Sequence, residues 1–122
     1  MVYIGTTLKV IDNSGARYVK CLNIKKKNYR NRATIGDLLL VSVKIITPNK
    51  KVKRGVLYKG IVVRLRVKIL KYGGFFVKFD SNAMVLLNLR SILLGTRVLG
   101  PVSSKLRDFG YFKVISLSPA VF

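Results

Sequence analysis

From position 61 to 69 the chain alternates without a break. Ile61, Val63, Leu65, Val67 and Ile69 are apolar, and Val62, Arg64, Arg66 and Lys68 stand between them. Side chains on a strand point to opposite faces in turn, so this stretch predicts a strand with one apolar face and one that becomes basic towards Lys68. The same period recurs in shorter segments, residues 7–11, 18–25 and 38–46, and residues 75–79 and 83–87 continue the sheet. In the third of these, Leu39, Val41, Val43 and Ile45 share a face. Turn residues divide the segments, at Asp12-Asn13-Ser14-Gly15, Gly36-Asp37, Thr47-Pro48-Asn49 and Gly73-Gly74. Asp and Asn can bond their own downstream backbone and Gly accepts positive φ, so each break has a physical cause. Gly73-Gly74 predicts a hairpin turn. Closely spaced short strands hide their edges best by closing on themselves, which predicts a mainly β fold built on a small closed β-barrel.

The last third changes character. Pro101 suits the first position of a helix, where its missing N–H would be unpaired anyway, and Val102, Leu106 and Phe109 then fall on one face. Gly110 is placed to end that helix, and Ser118-Pro119 reads as the N-cap and first position of a final short turn. At 122 residues, half of them hydrophobic, the chain is expected to form one domain over 1–122. Its barrel and ribbon would occupy roughly 1–90 and a helical C-terminal lobe roughly 95–122. Cys21, in an apolar stretch, is expected in the core, as are Phe75, Phe76 and Phe79. The longest apolar runs fall far short of the ~20 residues a membrane helix needs, and no targeting peptide is expected at the start.

Charge decides the class of partner. There are 24 Lys and Arg against four acids, a formal net charge of +20, and the acids are Asp12, Asp37, Asp80 and Asp108. Such an excess repels itself and calls for compensation from outside the chain. Nucleic acid supplies anionic charge at the matching density. With no His and no Glu, the chain lacks the usual groups for acid–base catalysis. The four Asp sit at turns or element ends, where backbone bonding explains them, and no ligand cluster or phosphate loop is present. No catalytic residue, metal or cofactor is expected. The cations form three groups: Lys25, Lys26, Lys27, Arg30 and Arg32 around Asn28, Tyr29 and Asn31; Lys50, Lys51, Lys53 and Arg54; and a stripe of Arg64, Arg66, Lys68 and Lys71. With so few acids among them, phosphate contact explains these groups better than plain solvation. Two rivals fit less well. A free single-strand binder stacks bases on exposed strand aromatics, whereas Phe75, Phe76 and Phe79 read as core. A peripheral membrane protein would want a cationic amphipathic helix, which is lacking.

Residue by residue, the chain resembles a known family. Asp12-Asn13-Ser14-Gly15-Ala16 after a short apolar strand is similar to the first block of the universal ribosomal protein fourteen of the large subunit. The similarity continues through Ile35-Gly36-Asp37, Val41-Ser42-Val43-Lys44, Thr47-Pro48, Val52-Lys53-Arg54-Gly55 and Val62-Val63-Arg64. It goes on through Phe79-Asp80-Ser81-Asn82-Ala83 and Gly95-Thr96-Arg97-Val98-Leu99-Gly100-Pro101-Val102. Leu106-Arg107-Asp108 and the run from Lys113 to Pro119 complete it, so the blocks are collinear over essentially the whole chain. The resemblance implies a small β-barrel with a protruding β-ribbon and a C-terminal lobe of short helices. It implies a structural constituent of the large subunit that binds large-subunit rRNA and touches neighbouring ribosomal proteins. Thr96, Arg97 and Lys113 would belong to a surface that bridges to small-subunit rRNA and docks a ribosome silencing factor. Three features depart from the bacterial pattern: Leu93-Leu94 replaces a Pro-basic pair, Gly73-Gly74 replaces Asp-Gly, and family acids are missing, as between Leu89 and Leu93. Together with heavy use of Lys, Ile, Asn, Tyr and Phe, these suggest an organelle-encoded member, mitochondrial first, with plastid or bacterial cytoplasm as the alternatives.

Overall fold

The computed structural model describes residues 2–25, 32–48 and 50–122. Its strands are β1 (Val2–Tyr3), β2 (Thr7–Val10), β3 (Ala16–Lys25), β4 (Arg32–Ala33), β5 (Leu38–Ile46), β6 (Leu57–Arg64), β7 (Ile69–Leu70), β8 (Phe76–Val77) and β9 (Ala83–Leu87). A 3-10 helix (Ser104–Phe109) and one α-helix, α1 (Phe112–Leu117), follow. Strands β2, β3, β5, β6 and β9 form the predicted closed barrel, in that order. Every barrel pairing is antiparallel except the closing one, in which β2 runs parallel to β9 with Lys9 opposite Ala83 and Val10 opposite Met84.

Alternation makes the barrel interior. Leu8, Val19, Cys21, Leu39, Val41 and Val43 are fully buried, each beside exposed or half-buried neighbours on its own strand in β2 and most of β3 and β5. Strand β9 instead is buried at all five positions, and β6 is buried continuously from Gly60 to Val63. A strand covered on both faces loses its polar face. The C-terminal segment supplies part of the cover: Ser103 N–H donates to the Val63 carbonyl, and Leu94 N–H to that of Leu86. Gly60 lies where β6 meets β9, and a Cβ there would collide with the Met84 side chain.

Five expectations need correction. The basic strand begins at Leu57 and stops at Arg64, not at Ile69, because the β6–β9 register slips between Val62 and Arg64. Beyond the slip Arg66 N–H bonds the Asn82 side chain, and the chain leaves the barrel as the ribbon of β7 and β8. The ribbon strands are short, and the loop joining them spans Tyr72-Gly73-Gly74, with both glycines at positive φ as predicted. Because the ribbon stands off the barrel, Phe75 and Phe76 are 59% and 60% exposed; only Phe79 of the three belongs to the interior. Pro101 lies upstream of its helix, which starts at Ser104 with the Ser103 hydroxyl accepting from Lys105 N–H. Val102 and Leu106 are buried as expected and Gly110 ends the helix at φ 80°, but Phe109 is half exposed. Ser118 caps the C-terminus of α1 rather than opening a new turn; its N–H donates to the carbonyls of Val114 and Ile115.

Asp12 shows how the sheet is fastened. One carboxylate oxygen accepts from Ser14 N–H at 3.2 Å and Ser14 Oγ at 2.5 Å, the local turn bonding its sequence predicts. The other accepts from Leu86 N–H at 2.9 Å, a partner 74 residues away in β9. Burial pushes this carboxyl above its ordinary range, against the pull of those hydrogen bonds. Asp12→Asn keeps only one acceptor, so one set of buried donors loses its partner, and a loss of about 1–3 kcal/mol is expected in urea unfolding. Because the folded-state carboxyl titrates above the unfolded value, its protonation favours the folded state. The advantage of wild type over Asp12→Asn should therefore be largest below the unfolded value and shrink as pH rises through the folded one.

Candidate nucleic-acid interface

The four cations of the second group form the cleanest constellation. Lys50, Lys51, Lys53 and Arg54 are all exposed on the loop between β5 and β6, and the loop is pinned by Val52, which is buried among them. Gly15 approaches Lys50 so closely that a Cβ would overlap the lysine stem, which sets this loop against the Asp12–Gly15 turn. Lys50 and Lys51 line a cleft of about 300 Å³ with Asn13, Ser14, Leu94 and Thr96. Cations predicted to meet rRNA thus share a cleft with a residue predicted for the bridge.

In the first group, Lys25 is exposed at the end of β3 and Arg32 is exposed in β4, opposite Tyr3. Lys26, Lys27 and Arg30, with Asn28, Tyr29 and Asn31, lie outside the described residues. Sequence reasoning missed Lys59, which loss of hydration and the neighbouring Lys25 ammonium hold below the ordinary lysine range. Two ammonium groups set together want an anion. Their pairing depends on register across three strands, Lys25 opposite Leu38 and Leu40 opposite Lys59, so no local pattern announces it.

The third group is not a stripe on one strand face. Arg64 is half buried, and its guanidinium turns towards the C-terminal segment, Nη1 donating to the Pro101 carbonyl at 3.5 Å. Arg66 is exposed beyond the end of β6. Lys68 stands 5.8 Å above the Phe76 ring, within range of a cation–π contact. Lys71 Nζ donates to Ser104 Oγ at 2.8 Å, tying the ribbon to the 3-10 helix. These side chains serve several surroundings, because the strand they were expected to share ends at its first member.

Thr96 and Arg97 are exposed, on a loop that Asn13 organises. The Asn13 side-chain oxygen accepts from Thr96 N–H at 2.7 Å and Arg97 N–H at 3.2 Å, and its amide donates to Thr96 Oγ1 at 2.9 Å. A Cβ on Gly95 would press on Asp12 and Asn13, so the loop approaches as closely as it does only with glycine there. Lys113 is exposed on α1 and lines a different cleft, about 310 Å³, with Leu38, Ile92, Tyr111 and Phe112.

Among the described residues no three His, Cys, Asp or Glu side chains gather to hold a metal, and no helix is long and apolar enough to cross a membrane. Compared with known protein families, residues 1–122 match the model of ribosomal protein L14p/L23e. The chain belongs to that family. Its members are structural proteins of the large ribosomal subunit, so this L14p/L23e protein is a ribosomal component that serves translation.

The loop geometry yields a local test. Asn13→Ala removes three hydrogen bonds to the 95–97 loop, and the amides of Thr96 and Arg97 should exchange with solvent about ten-fold faster or more. Amide exchange read by NMR checks this; unchanged protection would mean that something other than Asn13 holds the loop.

Proposed function

We propose that this L14p/L23e protein binds large-subunit rRNA as an architectural subunit, its cations neutralising phosphates where RNA segments meet around the barrel. The observation that carries the reading is the Lys50–Arg54 loop: four exposed cations around one buried anchor, set against a turn that is itself fixed to the barrel. Phosphate contacts position a protein without reading sequence, and a rigid scaffold is what such positioning needs. We assign to the same role Lys25, Lys26, Lys27, Arg30, Arg32, Lys50, Lys51, Lys53, Arg54, Arg64, Arg66, Lys68 and Lys71, and we add Lys59. The chain acts as a single domain in this reading.

Thr96, Arg97 and Lys113 are proposed to face small-subunit rRNA in a bridge and to offer the docking surface for a silencing factor. The preordering of Thr96 and Arg97 by Asn13 supports a contact role, because a loop already fixed loses less entropy on binding. Neighbouring large-subunit proteins would cover part of the remaining surface. Composition and the missing acids favour a mitochondrial ribosome.

Sedimentation tests the assignment directly: the protein should migrate with the large particle on a sucrose gradient at high salt, and a free protein there would refute it. With about eight phosphates neutralised, affinity for an rRNA fragment should fall about 10³–10⁵-fold between about 50 and 200 mM salt. Arg66→Ala should weaken binding evenly across sequences and reduce the log–log salt slope by about one. A changed base preference would contradict a phosphate role for Arg66.

A further inference from the structure

Where β6 ends, the ribbon and the C-terminal segment leave a cleft of about 720 Å³. Lys9, Arg64 and Lys78 bring positive charge to it, Asp80 is the one acidic side chain among the described residues that line it, and the rings of Phe76 and Phe122 also line it. Those rings are 60% and 57% exposed. One face of Phe76 lies under Lys68, which fixes a cation above the ring. Arg64 is poorly satisfied within the chain: its Nε is buried without an acceptor, and Nη1 reaches the Pro101 carbonyl only at 3.5 Å. A guanidinium carries five donors in a planar fork suited to phosphate or a base edge. Gly100 lies close to Nη1, so the guanidinium sits against the backbone of the C-terminal segment.

A cleft with three cations, one carboxylate and exposed flat rings asks for a ligand that is both anionic and planar. An acidic peptide would answer the charge but not the rings. A nucleotide answers both, since every base has a π face to stack and every phosphate a charge to neutralise. We propose that this cleft receives one unpaired nucleotide of the rRNA, its base laid against Phe76 and its phosphate held by Lys9, Arg64 and Lys78. The proposal rests on the rRNA-binding reading and names a single point of base contact within it.

Large subunits assembled with p-benzoylphenylalanine in place of Phe76 provide the test. Irradiation should join position 76 to one or two rRNA nucleotides. In particles carrying Phe76→Ala, the same nucleobases should gain chemical reactivity while the protein still sediments with the large subunit, and Phe76→Trp should restore protection. The purified Phe76→Ala protein should bind the crosslinked RNA segment about ten-fold less tightly, the scale of one base–aromatic contact. Phe76 is exposed, so its truncation leaves the interior intact. A crosslink to a neighbouring protein, or none with the protein present in the particle, overturns the cleft assignment alone. Absence of the unaltered protein from the particle overturns the rRNA-binding reading and this inference with it.

Discussion

Closure of the barrel depends on a short parallel contact between β2 and β9, and the residues just after β2 make that contact hold. Only two residue pairs join the strands, at Lys9 and Val10. Ile11 then donates to the Met84 carbonyl, and the Asp12 carboxylate accepts from Leu86 N–H. On its other side the same segment accepts from Leu99 N–H at 2.6 Å and bridges Val98 through Asp12. Residues 9–13 are thus held between β9 and the 95–99 loop. Without this fastening β2 and β9 would be exposed strand edges, each a row of unpaired backbone donors and acceptors. One step along, Asn13 orders Thr96 and Arg97, so barrel closure and the proposed bridge surface share one turn.

Charge and apolar exposure are tolerated together only in a particular setting. The ribbon displays Leu70, Tyr72, Phe75 and Phe76 to solvent, with Lys68 and Lys78 beside them. A free soluble protein pays for such a surface in adhesion and for a +20 charge in self-repulsion. A protein enclosed in a ribonucleoprotein meets neither cost, since phosphates offset the charge and neighbours cover the rings. The L14p/L23e assignment and the surface chemistry therefore explain each other.

Much of the barrel was legible in the sequence because a strand covered on one face writes its orientation at every second residue. Leu38–Ile46 has the bounds that pattern predicts, and Ala83–Leu87 has its expected bounds although it is apolar and buried at every position. The failures arise where tertiary structure overrides the local period. Nothing in the alternation of residues 61–69 reveals that the strand must slip register after Val62 and leave the barrel. The misplacement of Phe75 and Phe76 follows, since apolar neighbours imply a core only if the strand stays in it. Pro101 offered a helix start, but Ser103 caps it two residues later, and a six-residue α1 is too short for its periodicity to stand out. Of the candidate site, the Lys50–Arg54 loop could be read as a run, whereas Lys59 beside Lys25 and Asn13 beneath Thr96 could not. Those pairs are made by sheet register and by an 83-residue separation.

The Leu93-Leu94 departure has a structural consequence at the proposed bridge. Both leucines are half buried and pack on the interior; Leu93 bridges Leu87, and Leu94 N–H reaches the Leu86 carbonyl. The pair extends the β9 pairing where the resemblance to the bacterial pattern implied a cation beside Gly-Thr-Arg. Positive charge on this approach then falls to Arg97, and to Lys50 and Lys51 across the cleft that Leu94 and Thr96 line. A small-subunit RNA contact made at this cleft would find Lys50 and Lys51 lining it and Arg97 beside Thr96. Such a contact would touch both proposed surfaces, with Asn13 at the seam.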